Sequence, residues 1–230
     1  MRFVRTYPQG ERGDKSALTH PIGLTLIAFI CTAVPSFLMT KIIGKNLESL
    51  IVIAAALIIG GLVMWVIDAV YGARKGGTYE AAASEEVERM SLPQSIWIGL
   101  CQTLSAIFPG TSRSMATIAA GQVSGLSRTA ALEFSFLLSI PTMAAATGYD
   151  LLRTLRPSHS EGAEVLAPAH IDIHGWLVIL IGFIVSFIVA YGVVAWFMNW
   201  VRNRGFTPFA IYRIVAGAAV LMWALNSHAA

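Results

Sequence analysis

Five long apolar stretches constrain the fold of this chain more than any other feature. Each has about 20 residues or more and at most two charged side chains. An α-helix rises 1.5 Å per residue, so a helix of about 20 residues crosses the ~30 Å hydrocarbon core of a bilayer. We therefore predict an all-α integral membrane protein with about five transmembrane helices, over Pro21–Thr40, Ser49–Tyr71, Ala131–Leu152, His174–Val201 and Thr207–Asn226.

The composition agrees with a membrane protein and excludes several other classes. Hydrophobic residues make up 56% of the chain and charged residues 13%, whereas an average soluble domain carries about 25% charged residues. The chain is therefore neither disordered nor an ordinary soluble enzyme. Its formal net charge of +3 does not indicate nucleic-acid binding, because basic residues of membrane proteins lie mostly in the loops that orient the helices. The cysteines and histidines have no metal-ligand spacing, so we predict no metal site from them.

The segment 94–126 differs from these five stretches because it is broken in the middle. Gln94–Phe108 and Arg113–Leu126 would form helices of roughly 22 and 21 Å, too short to cross the core. Between them, residues 109–112 read Pro-Gly-Thr-Ser, a strong helix-breaking sequence. Non-helical backbone is tolerated at membrane depth only inside protein or beside a water-filled cavity. We therefore predict a re-entrant helical hairpin over residues 94–126.

The distribution of lysine and arginine favours the hairpin. With a hairpin, one side of the membrane carries ten basic residues in its loops and the other carries four, whereas a crossing segment gives nine and five. The positive-inside rule favours the larger imbalance and places residues 1–20 and the loop 72–93 in the cytoplasm. The predicted layout is a polar N-terminal segment (1–20), a single transmembrane domain (21–226) and a C-terminal tail (227–230). The Ala/Glu-rich loop 72–92 is predicted to contain a short surface helix.

The tip of the predicted hairpin has the features of an anion site. Ser112 stands in the position of an N-cap, so the second helix would begin at Arg113. A helix start offers unpaired N–H groups and a partial positive charge, and the planar Arg113 guanidinium suits phosphate oxygens. Thr117 follows Arg113 by four residues and Ser114 by three, which places all three on one helix face. The pattern predicts a phosphate-sized pocket at membrane depth.

Simpler explanations exist for parts of this pattern. Pro-Gly-Thr-Ser can be only a loop with a helix cap, and serine or threonine in a membrane helix can serve helix packing. Arg113 favours a functional site, because a charge near the bilayer centre costs at least ~2.5–3.5 kcal/mol on insertion scales. Outside the hairpin we interpret Asp68 as solvated near an interface and Arg213 as snorkelling out of its span. Glu133 is expected to pair with an arginine or to face the site.

Residues 109–117 read Pro-Gly-Thr-Ser-Arg-Ser-Met-Ala-Thr. They fit the motif Pro-Gly-x-Ser-Arg-Ser-x-x-Thr of the bacterial undecaprenyl-diphosphate phosphatases, also called the bacitracin-resistance phosphatases, and the chain resembles that family. The nine-residue motif is highly specific. The resemblance covers roughly residues 22–226 and includes Gly125–Arg128, Glu133–Leu138 and Pro208–Arg213.

This resemblance implies a reaction and a set of site residues. The reaction is hydrolysis of undecaprenyl diphosphate to the monophosphate, which recycles the lipid carrier for cell-wall synthesis, maintains cell shape and gives bacitracin resistance. Arg113 would hold the diphosphate and the hydroxyl groups would donate hydrogen bonds, with a serine nucleophile on the hairpin as an alternative. The implied catalytic residues are Arg113, Ser112, Ser114 and Thr117, and the implied substrate-binding residues are Gly110, Thr111 and Arg113.

The resemblance also implies a cofactor, a location and partners. The family suggests a divalent cation, Mg²⁺ or Ca²⁺, and a multi-pass protein of the bacterial inner (plasma) membrane. The expected partners are undecaprenyl diphosphate and membrane lipids, without nucleic acid, and a homodimer is left open.

The chain departs from the family pattern at one motif. The family has two inverted repeats, and its other motif is a Glu-rich stretch ending in Pro-Val-Ser-Ser-Thr-Gly-His, which supplies the general base and the metal ligands. That stretch does not occur in this sequence, and Gln102 takes the place of the corresponding Glu in the second repeat. We therefore expect an incomplete form that is inactive or nearly so as written, whether it is a fragment, a gene with a misassigned start or a degenerate paralogue.

Two other functions stay open at this point. Broken helices, inverted repeats and an anion site near the midplane also occur in transporters, so a transporter or lipid flippase is the second interpretation. A non-catalytic remnant that binds the substrate without turnover is the third. An assay of phosphate release from a prenyl diphosphate distinguishes the enzyme from the transporter and from the non-catalytic remnant.

Overall fold

The computed structural model describes residues 7, 16–39, 49–72, 87–155 and 172–229. Within these ranges the regular elements are helices. Asp68–Gly72 forms a π-helical turn, and Val87–Arg89 forms a 3₁₀ turn. The α-helices are α1 (Pro21–Leu38), α2 (Leu50–Ile67), α3 (Leu92–Ile107), α4 (Arg113–Val123), α5 (Arg128–Leu155), α6 (Ile173–Arg204) and α7 (Thr207–Ala229).

Helices α1, α2, α5, α6 and α7 are long and apolar enough to cross a membrane. Their apolar parts end within three residues of the five predicted spans, and the predicted fold class, an all-α integral membrane protein, is confirmed. The largest difference is at α5, which begins at Arg128 instead of Ala131. The cause is a helix cap, because the Ser127 Oγ accepts the N–H of Ala130 at 3.1 Å.

The chain divides into two compact units, Met1–Ser139 with Val201–Ala230, and Ile140–Trp200. The predicted hairpin lies in the first unit. In the second unit nearly all the described side chains of α6 are exposed, and the helix is apolar along its length, which suits contact with lipid. The single transmembrane domain over 21–226 stays a prediction. The surface helix predicted within 72–92 lies largely outside the described residues.

Helices α3 and α4 form a hairpin, as predicted. They have 16 and 11 residues, or roughly 24 and 17 Å, so neither crosses a ~30 Å core alone. At the open end of the hairpin the Gln94 Nε2 donates to the Ser124 carbonyl oxygen at 2.8 Å. The start of α3 therefore lies beside the end of α4, which is the geometry of a segment that enters and leaves on one face of the membrane.

A glycine with positive φ follows each of the two hairpin helices. Gly110, between α3 and α4, has φ +92°, and a Cβ there would lie 2.7 Å from the Ile53 carbonyl oxygen of α2. Gly125 also has φ +92° and follows α4 in a Schellman motif, in which the Leu126 N–H donates to the Gly121 carbonyl at 3.0 Å. This motif ends α4 at Val123, three residues before the predicted end.

Small and hydroxyl residues bring the helices of the first unit close together. Between α1 and α3, the Ser95 Oγ donates to the Leu24 carbonyl at 2.5 Å, and the Thr32 Oγ1 donates to the Gly99 carbonyl at 2.7 Å. Between α2 and α7, a Cβ on Gly217 would lie 3.0 Å from the Ala54 carbonyl oxygen. Such close contact is how membrane helices associate where the hydrophobic effect between them is weak.

Asp68 joins three helices of the first unit and is not solvated. The side chain of Asp68 is 4% exposed and accepts from the Arg128 Nη2 at 2.6 Å. Its other oxygen accepts from the Phe206 N–H at 3.0 Å, the Thr207 N–H at 3.1 Å and the Thr207 Oγ1 at 2.9 Å. The interpretation of Asp68 as a solvated interfacial residue is therefore wrong. The carboxylate instead neutralises the start of α5 and caps the start of α7.

We expect Asp68→Ala to lower the free energy of unfolding by about 3 kcal/mol. This is the lower end of the range for a broken buried ion pair, because the Arg128 side chain is 21% exposed. Thermal unfolding in detergent micelles measures the change. Asp172→Ala is the control, since Asp172 is exposed and only caps α6, and its loss costs about 1 kcal/mol or less. Equal losses of stability in the two variants would contradict the role of Asp68.

We expect both ends of the hairpin to be accessible from the same side of the membrane. Leu92→Cys lies at its first residue and Ser127→Cys follows its second helix, in a chain whose Cys31 and Cys101 are replaced by serine. A membrane-impermeant maleimide should label both from the cytoplasmic side and Asp172→Cys from the other side. Labelling of the first two cysteines from opposite sides would show that the segment crosses the membrane.

Candidate anion-binding site at the hairpin tip

The first turn of α4 begins at the tip of the hairpin. Ser112 is its N-cap, as predicted, and the Ser112 Oγ accepts the N–H of Met115 at 3.4 Å. The N–H groups of Arg113 and Ser114 have no partner within an α-helix that starts here, because the acceptors four residues earlier lie outside it. These donors and the helix dipole favour an anion at the tip.

Arg113 is the first residue of α4 and is half-buried. Its Nη1 atom is buried, and no hydrogen-bond partner for it occurs in the part of the chain that the structure describes. A buried cationic donor without a partner is costly. A phosphate group could remove this cost, because its oxygens match the planar guanidinium.

Ser114 and Thr117 are placed differently on α4. Ser114 is exposed, whereas Thr117 is 2% exposed. The Thr117 Oγ1 lies 2.7 Å from the Ser135 Oγ of α5 and 3.1 Å from the carbonyl oxygens of both Arg113 and Ser114. The Thr117 hydroxyl thus braces the first turn of α4 against α5. Its predicted role as a donor to the substrate stays a prediction.

The backbone of the tip is held by an arginine from another helix. Gly110 and Thr111 are half-buried, and the Gly110 carbonyl accepts from the Arg213 Nη2 of α7 at 2.9 Å. The interpretation of Arg213 as a snorkelling residue is wrong, because its guanidinium contacts the hairpin tip. The one signal in the sequence was a charge within an apolar span, which usually marks a function.

An apolar groove runs from the tip along the hairpin, between α2 and the two hairpin helices. Its volume is about 590 Å³. Thr111 and Phe108 line it at the tip, and Ile67 and Val123 line it toward the other end of α2 and α4. Along most of its length the walls are aliphatic and aromatic, as in Val52, Ile59, Val63, Trp97, Leu104 and Met115.

The described residues do not provide a divalent-cation site. Among residues 16–39, 49–72, 87–155 and 172–229, no group of three or more His, Cys, Asp or Glu side chains could share a metal ion. Gln102 of α3 is 2% exposed, and Glu133 of α5 is half-buried. The cation implied by the resemblance therefore has no fitting set of ligands in this part of the chain.

Comparisons with known proteins show the family to which the chain belongs. Residues 2–219 match the family model of the bacitracin resistance protein BacA. The chain is 63% identical over 224 residues to an undecaprenyl-diphosphatase of Koribacter versatilis, which covers 97% of this chain and 76% of that protein. It is 36% identical to an undecaprenyl-diphosphatase of Persephonella marina, over 92% of this chain and 76% of the relative. It is 38% identical to an undecaprenyl-diphosphatase of Thermus thermophilus, over 87% of this chain and 69% of the relative. The chain belongs to the bacitracin resistance protein BacA family.

Proposed function

We propose that this chain is an undecaprenyl-diphosphate phosphatase of the bacterial plasma membrane. It would hydrolyse undecaprenyl diphosphate to undecaprenyl phosphate and inorganic phosphate, and so recycle the lipid carrier for cell-wall synthesis. The names of its relatives support this reaction. The observation that carries the proposal is the buried, unpartnered Arg113 Nη1 at the start of α4.

The hairpin tip would hold the terminal phosphoryl group. Arg113 and the free N–H groups of the first turn can contact phosphate oxygens and stabilise the charge that develops on them during transfer to water. The Ser112 Oγ accepts a backbone N–H, which leaves its own O–H free to donate to the anion. The exposed Ser114 hydroxyl is a second donor, and attack by one of these serines is the alternative to direct attack by water.

Two further elements of the proposal come from the resemblance alone. A divalent cation, Mg²⁺ or Ca²⁺, stays a prediction, because the described residues offer no set of ligands for it, and no step is assigned to it. A homodimer also stays a prediction. Neither element is needed for the anion contacts of Arg113.

The apolar groove offers a path for the prenyl chain of the substrate. It extends along α2 from Val52 to Ile67, or roughly 22 Å along the helix axis. Since it starts beside the tip, a lipid whose diphosphate lies at Arg113 can place its first isoprene units against aliphatic walls. The hydrophobic effect then favours long prenyl chains over short ones.

We expect Arg113→Ala to weaken binding of undecaprenyl diphosphate by at least about tenfold, or roughly 1.4 kcal/mol, and to abolish any phosphate release that the unaltered chain shows. Arg113→Lys should also be impaired, because an ammonium group cannot make the two parallel bonds of a guanidinium. The measurements are lipid binding and release of inorganic phosphate by the purified chain in detergent micelles. The Koribacter versatilis relative serves as the positive control.

Three outcomes of this assay would be decisive. Phosphate release that depends on Arg113, at whatever rate, supports the phosphatase. Arg113-dependent binding with no release would point to a non-catalytic remnant. Movement of the lipid between the leaflets of a vesicle without release would point to a flippase.

We expect Val63→Trp to weaken binding of undecaprenyl diphosphate severalfold and to leave binding of a five-carbon prenyl diphosphate unchanged. Val63 lines the groove about 16 Å along α2 from Val52, so the larger ring obstructs only a long chain. Competition binding in micelles measures both ligands. Val66→Trp is the matched control, since Val66 is 58% exposed and lies outside the groove lining. Equal effects of the two variants would exclude this path.

A further inference from the structure

Arg213 is a cation within an otherwise apolar helix, and it bonds to a residue far away in the sequence. It lies six residues after the start of α7. The Arg213 Nη2 donates to the Gly110 carbonyl at 2.9 Å, across 103 residues of chain. Gly110 is the left-handed residue that separates α3 from α4. The charged guanidinium of Arg213 on α7 therefore forms a hydrogen bond with the backbone of the hairpin tip.

The Arg213 guanidinium packs against Gly60 of α2, where the absence of a side chain makes room for it. A Cβ on Gly60 would lie 2.8 Å from the Arg213 Nη2 and 2.7 Å from the Met115 Cε of α4. The guanidinium thus lies where α2, α7 and the first turn of α4 meet. The neighbouring Gly61 contacts α7 as well, but a Cβ there would approach the Ile214 Cγ1, the Ala210 carbonyl and only the Cβ of Arg213.

The tip needs such a partner because its backbone is not helical. A carbonyl group without a hydrogen bond is costly where water is absent, and a hydrogen bond from a cation is roughly twice as strong as one between neutral groups. Gly110 precedes Arg113 by three residues. Fixing the Gly110 carbonyl therefore fixes where the chain turns into α4 and where the Arg113 side chain begins.

We propose that Arg213 is a positioning residue that holds the hairpin tip, and with it Arg113, in the conformation that receives the diphosphate. Arg213 acts through Gly110 and does not itself bind the substrate. The part of this inference that concerns the diphosphate rests on the proposed function. The part that concerns the conformation of the tip does not.

Four variants of the full chain test this role. Arg213→Met removes both the hydrogen bond and the charge, and Arg213→Lys keeps a charged donor. Gly60→Ala keeps Arg213 but puts a methyl group against its Nη2. Gly61→Ala is the matched control, because it strains the same pair of helices without touching the guanidinium.

Two readouts separate positioning from substrate binding. Amide hydrogen exchange without ligand at Thr111, Met115 and Ala116, whose N–H groups are hydrogen-bonded at the tip, reports the conformation of the tip. The Kd for undecaprenyl diphosphate in detergent micelles reports the site. We expect Arg213→Met and Gly60→Ala each to speed exchange and raise Kd by about tenfold, a loss typical of one charge-assisted hydrogen bond. Arg213→Lys should recover part of both effects, and Gly61→Ala should leave exchange at the tip unchanged.

Each remaining outcome has one meaning. If Arg213→Met raises Kd while exchange at the tip stays as in the wild type, Arg213 is a substrate ligand and the positioning role is overturned. If Gly61→Ala speeds exchange as much as Gly60→Ala, the effect comes from helix packing, and the role is again overturned. If Arg113→Ala leaves Kd unchanged, the proposed function fails, but the exchange measurements still decide the role of Arg213.

Discussion

The hydrocarbon core of a membrane contains no water that could bond to a broken backbone, and the turn between α3 and α4 must meet this constraint within the protein. The structure meets it with groups from three sources. Ser112 caps the first turn of α4, the Thr111 N–H donates to the Phe108 carbonyl, and Arg213 reaches across from α7 to Gly110. The same arrangement leaves Arg113 at the start of a helix, where an anion is favoured.

Three arginines of the first unit, Arg113, Arg128 and Arg213, therefore have different roles. The charge of Arg128 is neutralised by Asp68, whereas Arg213 holds a neutral backbone carbonyl. Among these three arginines, Arg113 is the one at a helix start that makes no ion pair within the described residues, and its buried Nη1 has no hydrogen-bond partner there. A ligand that brings its own negative charges completes the site, and the apolar groove that begins beside it suits a ligand whose other end is a hydrocarbon.

Local sequence patterns were enough to predict the helices, the hairpin and its cap. Span length, the Pro-Gly break and the Ser112 cap are properties of adjacent residues, and all three agree with the structure. Asp68 and Arg213 were misinterpreted because their partners are distant: Asp68 bonds to Phe206 across 138 residues and Arg213 to Gly110 across 103. Both residues stand near the ends of their spans, where exposure to water was the simpler explanation. The packing of α2 against α7 and of the hairpin tip against α2, at glycines that the sequence does not distinguish from others, brings the partners together.

The hydrogen bond between Arg213 and Gly110 can form only after α7 has been synthesised, so the hairpin is made before its partner. The hairpin leaves the exit tunnel well before α7 is translated, since 103 residues separate its tip from Arg213. At usual synthesis rates of about 5–20 residues per second, the tip waits roughly 5–20 s for its partner. During this interval the Gly110 carbonyl lacks its Arg213 donor, whereas the local bonds made by Ser112 and Thr111 can already form. The anion site is therefore completed late, when the chain's α7 has entered the bilayer.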